Sequence, residues 1–170
     1  LDNTLLGTVA QAPLRAAARA LLAPELARLG WSETAGEDPE AQRLRGQLVD
    51  ALAQFGDTEV IARAREFWPA AIAPDRRAGA VRVPRSLHGA ILTAVASDLR
   101  ADEAAALWSL MRATDRHEER RTYLRALSSD PDPARAQRLL EASVEGWLPS
   151  DQAIDVPYYV GSNPVHAGQA

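Results

Sequence analysis

Apolar residues in this chain recur at a three-or-four spacing and are repeatedly halted by aspartate, proline or glycine. That pattern constrains the fold more than any other feature. Side chains three and four apart share one face of a helix, whereas a half-buried strand needs strict alternation. From a start near Pro13, Leu14, Ala17, Ala18, Leu21, Leu22, Leu26 and Leu29 fall on one face. Pro24 predicts a kink or a division, and Gly30 a stop.

The next start combines Asp38 as a cap, Pro39 in the first turn and Glu40 at the positive helix end. Leu44, Leu48, Val49, Leu52 and Phe55 continue the stripe until Gly56-Asp57 breaks it. Asp57 then caps a segment carrying Val60, Ile61, Ala64, Phe67 and Trp68, with Pro69 as its expected end. A looser stretch runs from Ala70 to Val83. Beyond Pro84 come Leu87, Ala90, Ile91, Ala94 and Val95. Ala104, Leu107, Trp108 and Met111 follow, and then Tyr123, Leu124 and Leu127 with Arg120 at the edge. Asp132-Pro133 opens a segment with Ala136, Leu139, Leu140 and Val144. Residues 146–170 read as an irregular terminal segment, because Gly146, Pro149, Pro157, Gly161 and Pro164 leave room only for a short helix around Ser150–Tyr159.

The expected fold is all-α, with about seven or eight short antiparallel helices. Starts near Asp38, Asp57, Pro84, Ala101, Asp115 and Asp132 are mostly 14 to 19 residues apart. Helix pairs of that size bury a face each by stacking on the next pair, which favours a HEAT-like or armadillo-like array over residues 1–170 as one helical-repeat domain. A compact irregular helical bundle is the other architecture the pattern admits. Composition agrees with either. There are 34 alanines, and all 19 basic residues are arginine. Alanine is the best helix former and lets helices approach closely, while arginine lays its stem over apolar surface with its charge in water.

The same numbers exclude several functions. A formal charge of -4 lacks the concentrated basic face that nucleic acid requires. With no cysteine, disulfides, thiol catalysis and thiolate metal sites are absent, and a reducing, cytoplasmic setting is the fitting compartment. No apolar run approaches the roughly 20 residues of a membrane span. Leu1 in place of methionine is expected of a processed end or an excised segment.

Tests for local chemistry assign no catalytic and no metal-binding residue. His117-Glu118 begins like a zinc-peptidase helix, but the residue one turn on is Arg121, which cannot donate to zinc. His88 and His166 have no companion histidine nearby, and His88 beside Leu87 reads as a hydrogen-bonded surface or packing residue. The better lead is Arg112, Arg116 and Arg120, which form a positive ridge if the break near Thr114 is modest, widened by Arg121 and Arg125. A guanidinium binds a carboxylate through two hydrogen bonds, so Arg112, Arg116, Arg120 and Arg125 are candidates for receiving a peptide carboxylate. Solvation and pairing with Glu118 and Glu119 is the competing role. Trp31 and Trp147 sit near helix breaks, and Tyr158 and Tyr159 lie in an apolar terminal patch, Val156 to Val160. These four are candidate contacts for another domain.

Several phrases in order resemble a known family. They are Leu29-Gly30-Trp31, Gly36-Glu37-Asp38 and Leu44-Arg45, continued by Leu52 to Asp57 and Ala62 to Phe67. Then come Pro84-Arg85-Ser86-Leu87-His88, with His88 where the family has arginine, and Glu118 to Leu127. The series closes with Leu148-Pro149-Ser150-Asp151-Gln152 and Asn163-Pro164. Together they resemble the C-terminal helical domain of zinc aminopeptidases, the group of the alanyl, puromycin-sensitive and endoplasmic-reticulum enzymes. The resemblance implies a noncatalytic part of a larger exopeptidase that removes N-terminal amino acids from peptides. Zinc, its ligands and the water-activating glutamate belong to a catalytic domain elsewhere in the same polypeptide, so this chain holds no cofactor and is inactive alone. Its implied role is to form part of the peptide chamber. The alternative is an independent helical-repeat interaction or structural module.

Overall fold

The computed structural model describes residues 9–73, 83–163 and 165–166. They form eight short α-helices and no strand, packed pairwise on neighbours in the chain as in a HEAT-like or armadillo-like antiparallel array. The helices are α1 (Gln11–Leu29), α2 (Pro39–Gln54), α3 (Thr58–Ala71), α4 (His88–Ala96), α5 (Ala101–Ala113), α6 (His117–Ser128), α7 (Pro133–Val144) and α8 (Ser150–Ser162). The chain divides into two compact units, Leu1–Val95 and Ala96–Ala170.

In the first unit, α2 packs against α1, α3 and the 3₁₀ turn Arg85–Leu87 that leads into α4. The aspartates act as the sequence predicts. Asp38 accepts the Glu40 N–H, and Asp57 accepts the N–H groups of Glu59 and Val60, so two helix starts are fixed by side chains rather than by water. Leu48, Val49 and Leu52 of α2 and Ala64, Phe67 and Trp68 of α3 are buried. Every residue of α4 from Ala90 to Ala96 except Thr93 is buried, so α4 is enclosed rather than one-sided. Much of the loose stretch Ala70–Val83 falls outside the described residues.

The second unit pairs α5 with α6 and α7 with α8, while α6 also meets α7 and α8. Arg100 N–H donates to the Glu103 carboxylate at the start of α5, and Asp132 accepts the Ala134 N–H at the start of α7. Leu107, Met111, Leu124, Leu139 and Val156 have no exposed surface to speak of and form the core.

Two prolines neither divide nor end their helices, and a third lies where the sequence allows a short helix. Pro24 lies inside α1, Pro69 inside α3 and Pro157 inside α8. A proline removes one backbone bond, and the flanking turns here continue without it. As a result α3 runs on to Ala71, and the short helix expected around Ser150–Tyr159 extends to Ser162, 13 residues in all. Two members of the predicted apolar stripes face outward: Leu21 is 77% exposed and Val144 84%. Spacing places them on a helix face, but no described element covers that part of the face.

Candidate functional site

Within each unit, some of the phrases that carry the family resemblance supply ties between helix ends. The first three converge on Arg45, whose side chain is wholly buried. Its Nε donates to the Gly30 carbonyl at 3.0 Å and a terminal nitrogen to the Leu29 carbonyl at 3.3 Å. Its two terminal nitrogens also grip both carboxylate oxygens of Glu37, one at 2.9 Å. The last carbonyls of a helix have no partner within it, so Arg45 on α2 supplies the missing donors to the end of α1. The guanidinium in turn holds the Glu37 carboxyl below the usual glutamate range. Gly30, at φ 67°, makes the left-handed turn that aims its carbonyl there.

The Pro84–His88 phrase does similar work. The Ser86 hydroxyl donates to the Glu33 carboxylate at 2.7 Å, and Ser86 carbonyl oxygen would lie 2.8 Å from any Cβ placed at Gly46. A side chain at 46 is therefore excluded by backbone. His88 Nε2 lies 3.0 Å from the Ala71 carbonyl at the end of α3, which is the hydrogen-bonded role the sequence allowed it. In the terminal phrases, the Asn163 amide donates to the carbonyls of Ser128 and Asp130 at 3.0 and 3.2 Å, closing the end of α8 onto the end of α6. The buried Gln152 amide donates to the His117 carbonyl at 2.8 Å.

The candidate arginines are split by the break between α5 and α6. Arg112 lies on α5, Arg116 precedes α6, and Arg120 and Arg125 lie within α6, so no single helix face carries all four. Arg116 pairs with Glu119 at 3.1 Å. Arg120 donates to the Met111 and Thr114 carbonyls and closes the end of α5, as Arg45 closes α1. Arg112 and Arg125 are exposed. The Arg112 guanidinium lies over two indoles, its Cζ 5.9 Å from the Trp108 ring centroid and 5.1 Å from that of Trp147. Sequence reasoning missed Arg138, which lies over the Trp108 ring at 4.7 Å. No local spacing announces a pair 30 positions apart on separate helices.

The four candidate aromatic contacts differ in environment. Trp31 stacks on Phe67 inside the first unit, centroids 5.7 Å apart and planes 9° from parallel. Trp147 holds Arg112 on its ring and donates its Nε1–H to Glu145 at 3.0 Å. Tyr159 receives the Arg121 Nε–H at 3.0 Å and donates its hydroxyl to Asp155. Tyr158 is 73% exposed, one turn from exposed Ile154.

Among the described residues, His117 has carboxylates at both ring nitrogens. Asp151 lies 2.5 Å from Nε2 and Glu118 3.4 Å from Nδ1. The hydrogen bond to Asp151 is the main cause that raises the imidazole above its ordinary value of 6.5, and the same bond lowers the Asp151 carboxyl. These residues do not fit zinc. Among the described residues no three histidines or carboxylates are grouped to hold a metal ion, and Arg121 occupies the ligand position one turn beyond His117. No described helix is long and apolar enough to cross a membrane.

The chain is 32% identical over 116 residues to a protein named Aminopeptidase M1 from Arabidopsis thaliana. That alignment covers 66% of this chain, while the chain spans only 13% of the relative's length. The family model of the ERAP1-like C-terminal domain matches residues 1–170, the whole of the sequence. On that match, the chain belongs to the ERAP1-like C-terminal domain family.

Proposed function

We propose that this chain is a noncatalytic accessory region of a zinc aminopeptidase and forms part of the chamber that receives the peptide. The observation that carries the reading is the family match over the whole chain. The aligned relative, itself named an aminopeptidase, adds support. In this reading zinc and the catalytic groups belong to another domain of the same polypeptide, and this chain has no hydrolytic step of its own. The cysteine-free composition supports a reducing, cytoplasmic setting for it.

The mechanism is confinement. A helical array offers one side to a cavity and the other to solvent. Closed against a catalytic domain, that side excludes water and admits peptides that fit, so it acts on substrate choice rather than on bond breaking. Arg112, Arg116, Arg120 and Arg125 are the groups assigned to attract peptide carboxylates. Trp31, Trp147, Tyr158 and Tyr159 are assigned to contacts with the rest of the polypeptide. Tyr158 is the best placed of these four, since its ring is exposed beside Ile154.

The test compares a long peptide with a minimal amino-acid amide, using the complete enzyme and its Arg112→Ala variant. The chamber reading expects kcat/KM for the long peptide to fall more than that for the amide. Equal losses on the two substrates would count against it.

A further inference from the structure

Several helix starts carry their own caps. Asp38, Asp57 and Asp132 cap α2, α3 and α7 through their side chains, and the Glu103 carboxylate takes the Arg100 N–H at the start of α5. The residues before α6 and α8, Arg116 and Pro149, provide no side-chain cap. Those two starts are instead fastened to each other. His117 Nε2 on α6 lies 2.5 Å from Asp151 Oδ2 on α8, and the buried Gln152 amide donates to the His117 carbonyl at 2.8 Å. The Asp151 carboxylate also meets the backbone N–H groups of Asp151 and Gln152, as an acid does at the positive end of a helix.

Along its length α8 is held to α6 at three levels. The first turn has the His117 and Gln152 ties. At the middle, Arg121 donates to the Tyr159 hydroxyl at 3.0 Å and lies 3.5 Å from the Asp155 carboxylate. Beyond the last turn, the Asn163 amide reaches the Ser128 and Asp130 carbonyls. A guanidinium and an amide keep their donors throughout the neutral range of pH. An imidazole does not. Its charged form has two N–H donors, and His117 has a carboxylate at each ring nitrogen: Asp151 across the helix pair and Glu118, at 3.4 Å, on its own helix. The neutral ring offers those two carboxylates one N–H and no charge.

We propose that His117 and Asp151 form a proton-operated latch, which fastens the first turn of α8 to α6 while the imidazole is charged and lets that turn fray when the proton is lost. Asp151 and Glu118 are the charged groups that act on His117; α5 and α7, which also pack on α6, direct none at it among the described residues. The Asp151 hydrogen bond, with Glu118 adding to it, raises the imidazole above its ordinary 6.5. The latch is therefore closed below that value and opens as pH climbs through the raised one. Arg121 and Asn163 stay fastened, so the opening is confined to the start of the helix. The helix that the latch acts on is the one that presents Ile154 and Tyr158 to the outside. This device goes beyond the accessory role and does not depend on it.

The experiment follows amide hydrogen exchange of the 170-residue chain by NMR from about pH 5.5 to about pH 8, with each rate corrected for the intrinsic exchange rate at that pH. Protection of the Ala153, Ile154 and Asp155 amides is expected to fall about two- to fivefold, the range of a single exposed ion pair. The midpoint of that fall should match the titration of the His117 ring signals. Amides of Val160 to Ser162 should hold steady, which separates the latch from His166 at the far end, where it reaches the Asp130 carbonyl. Asp151→Asn should give the lower protection at every pH, with no fall. His117→Gln, which carries an amide that does not titrate, should be equally flat. Glu118→Gln should keep the fall, because Glu118 lies on the same helix as His117 and cannot hold α8.

Wild-type protection that stays flat through the His117 titration would overturn the latch. So would a fall with a different midpoint, an equal fall in Asp151→Asn or His117→Gln, or its disappearance in Glu118→Gln. An equal fall at Val160 to Ser162 would show the whole helix loosening and would overturn it too. Since exchange is read in this chain without substrate, such a failure leaves the accessory role in the complete enzyme standing.

Discussion

Replacing Arg45 by methionine is the sharpest test of how the first unit is held together. The substitution keeps an apolar stem in a wholly buried position and removes the guanidinium alone. The Leu29 and Gly30 carbonyls and both oxygens of Glu37 then lose their donor together. Removing one partner of a buried charged network costs about 3–5 kcal/mol, mostly from leaving the other groups unsatisfied. Leu29 and Gly30 are only half-buried, so water recovers part of that loss. The low end, about 3 kcal/mol, is the value the structure supports. For a chain of this length it corresponds to a fall in Tm of roughly 6–12 °C. Thermal melting followed by circular dichroism reads it directly. Arg43→Met, two residues away in an exposed pair with Glu40, is the control and should stay within about 2 °C of wild type. If Arg45→Met melts no lower than Arg43→Met, the end of α1 is not secured by this network.

Glycine-to-alanine changes in α2 and α8 should have opposite signs. Gly46→Ala pushes a Cβ to 2.8 Å from the Ser86 carbonyl oxygen, and the overpacking of about 1–3 kcal/mol exceeds the roughly 1 kcal/mol gained in helix propensity. Gly161→Ala meets nothing within 4 Å and keeps its propensity gain, so it should raise Tm slightly; matching signs in the two melts would contradict the close approach. The His117–Asp151 contact between α6 and α8 should weaken as pH rises. The folded imidazole titrates above its ordinary 6.5, so its contribution is complete below that value and is lost as pH climbs through the raised folded value. Asp151, lowered from 3.8, loses its share only as pH falls through its own depressed value. An NMR titration should find the His117 midpoint shifted down in Asp151→Asn, and an unchanged midpoint would remove the carboxylate as the cause.

What was readable in the sequence and what was not follow from the range of each interaction. Asp38, Asp57 and Asp132 act on N–H groups two or three residues ahead, and their capping roles are visible in the local string. The helical period likewise locates the segments that became α2 to α7. Periodicity names a face without naming its cover, which is why Leu21 and Val144 were assigned to stripes and are exposed. A helix braced by its neighbours tolerates the loss of one bond, so Pro24 and Pro69 neither divide nor end α1 and α3. The ties by Arg45, Asn163 and Gln152 span 15, 35 and 35 positions. No spacing rule predicts them, yet these residues lie in the phrases that carried the family resemblance. Arg112, Arg138 and the indoles of Trp108 and Trp147 come together only once α5 and α7 have folded, so the local string names Arg112 as one of four candidates without its aromatic setting.

The central claim is that this chain serves a peptidase without being one. Release of N-terminal amino acids from a peptide should be measured for the complete polypeptide and for the highly purified 170-residue chain, each with and without a zinc chelator. The account predicts chelator-sensitive release by the complete polypeptide and none by the chain alone. Chelator-sensitive turnover by the isolated chain, or a complete polypeptide that releases nothing, would contradict it.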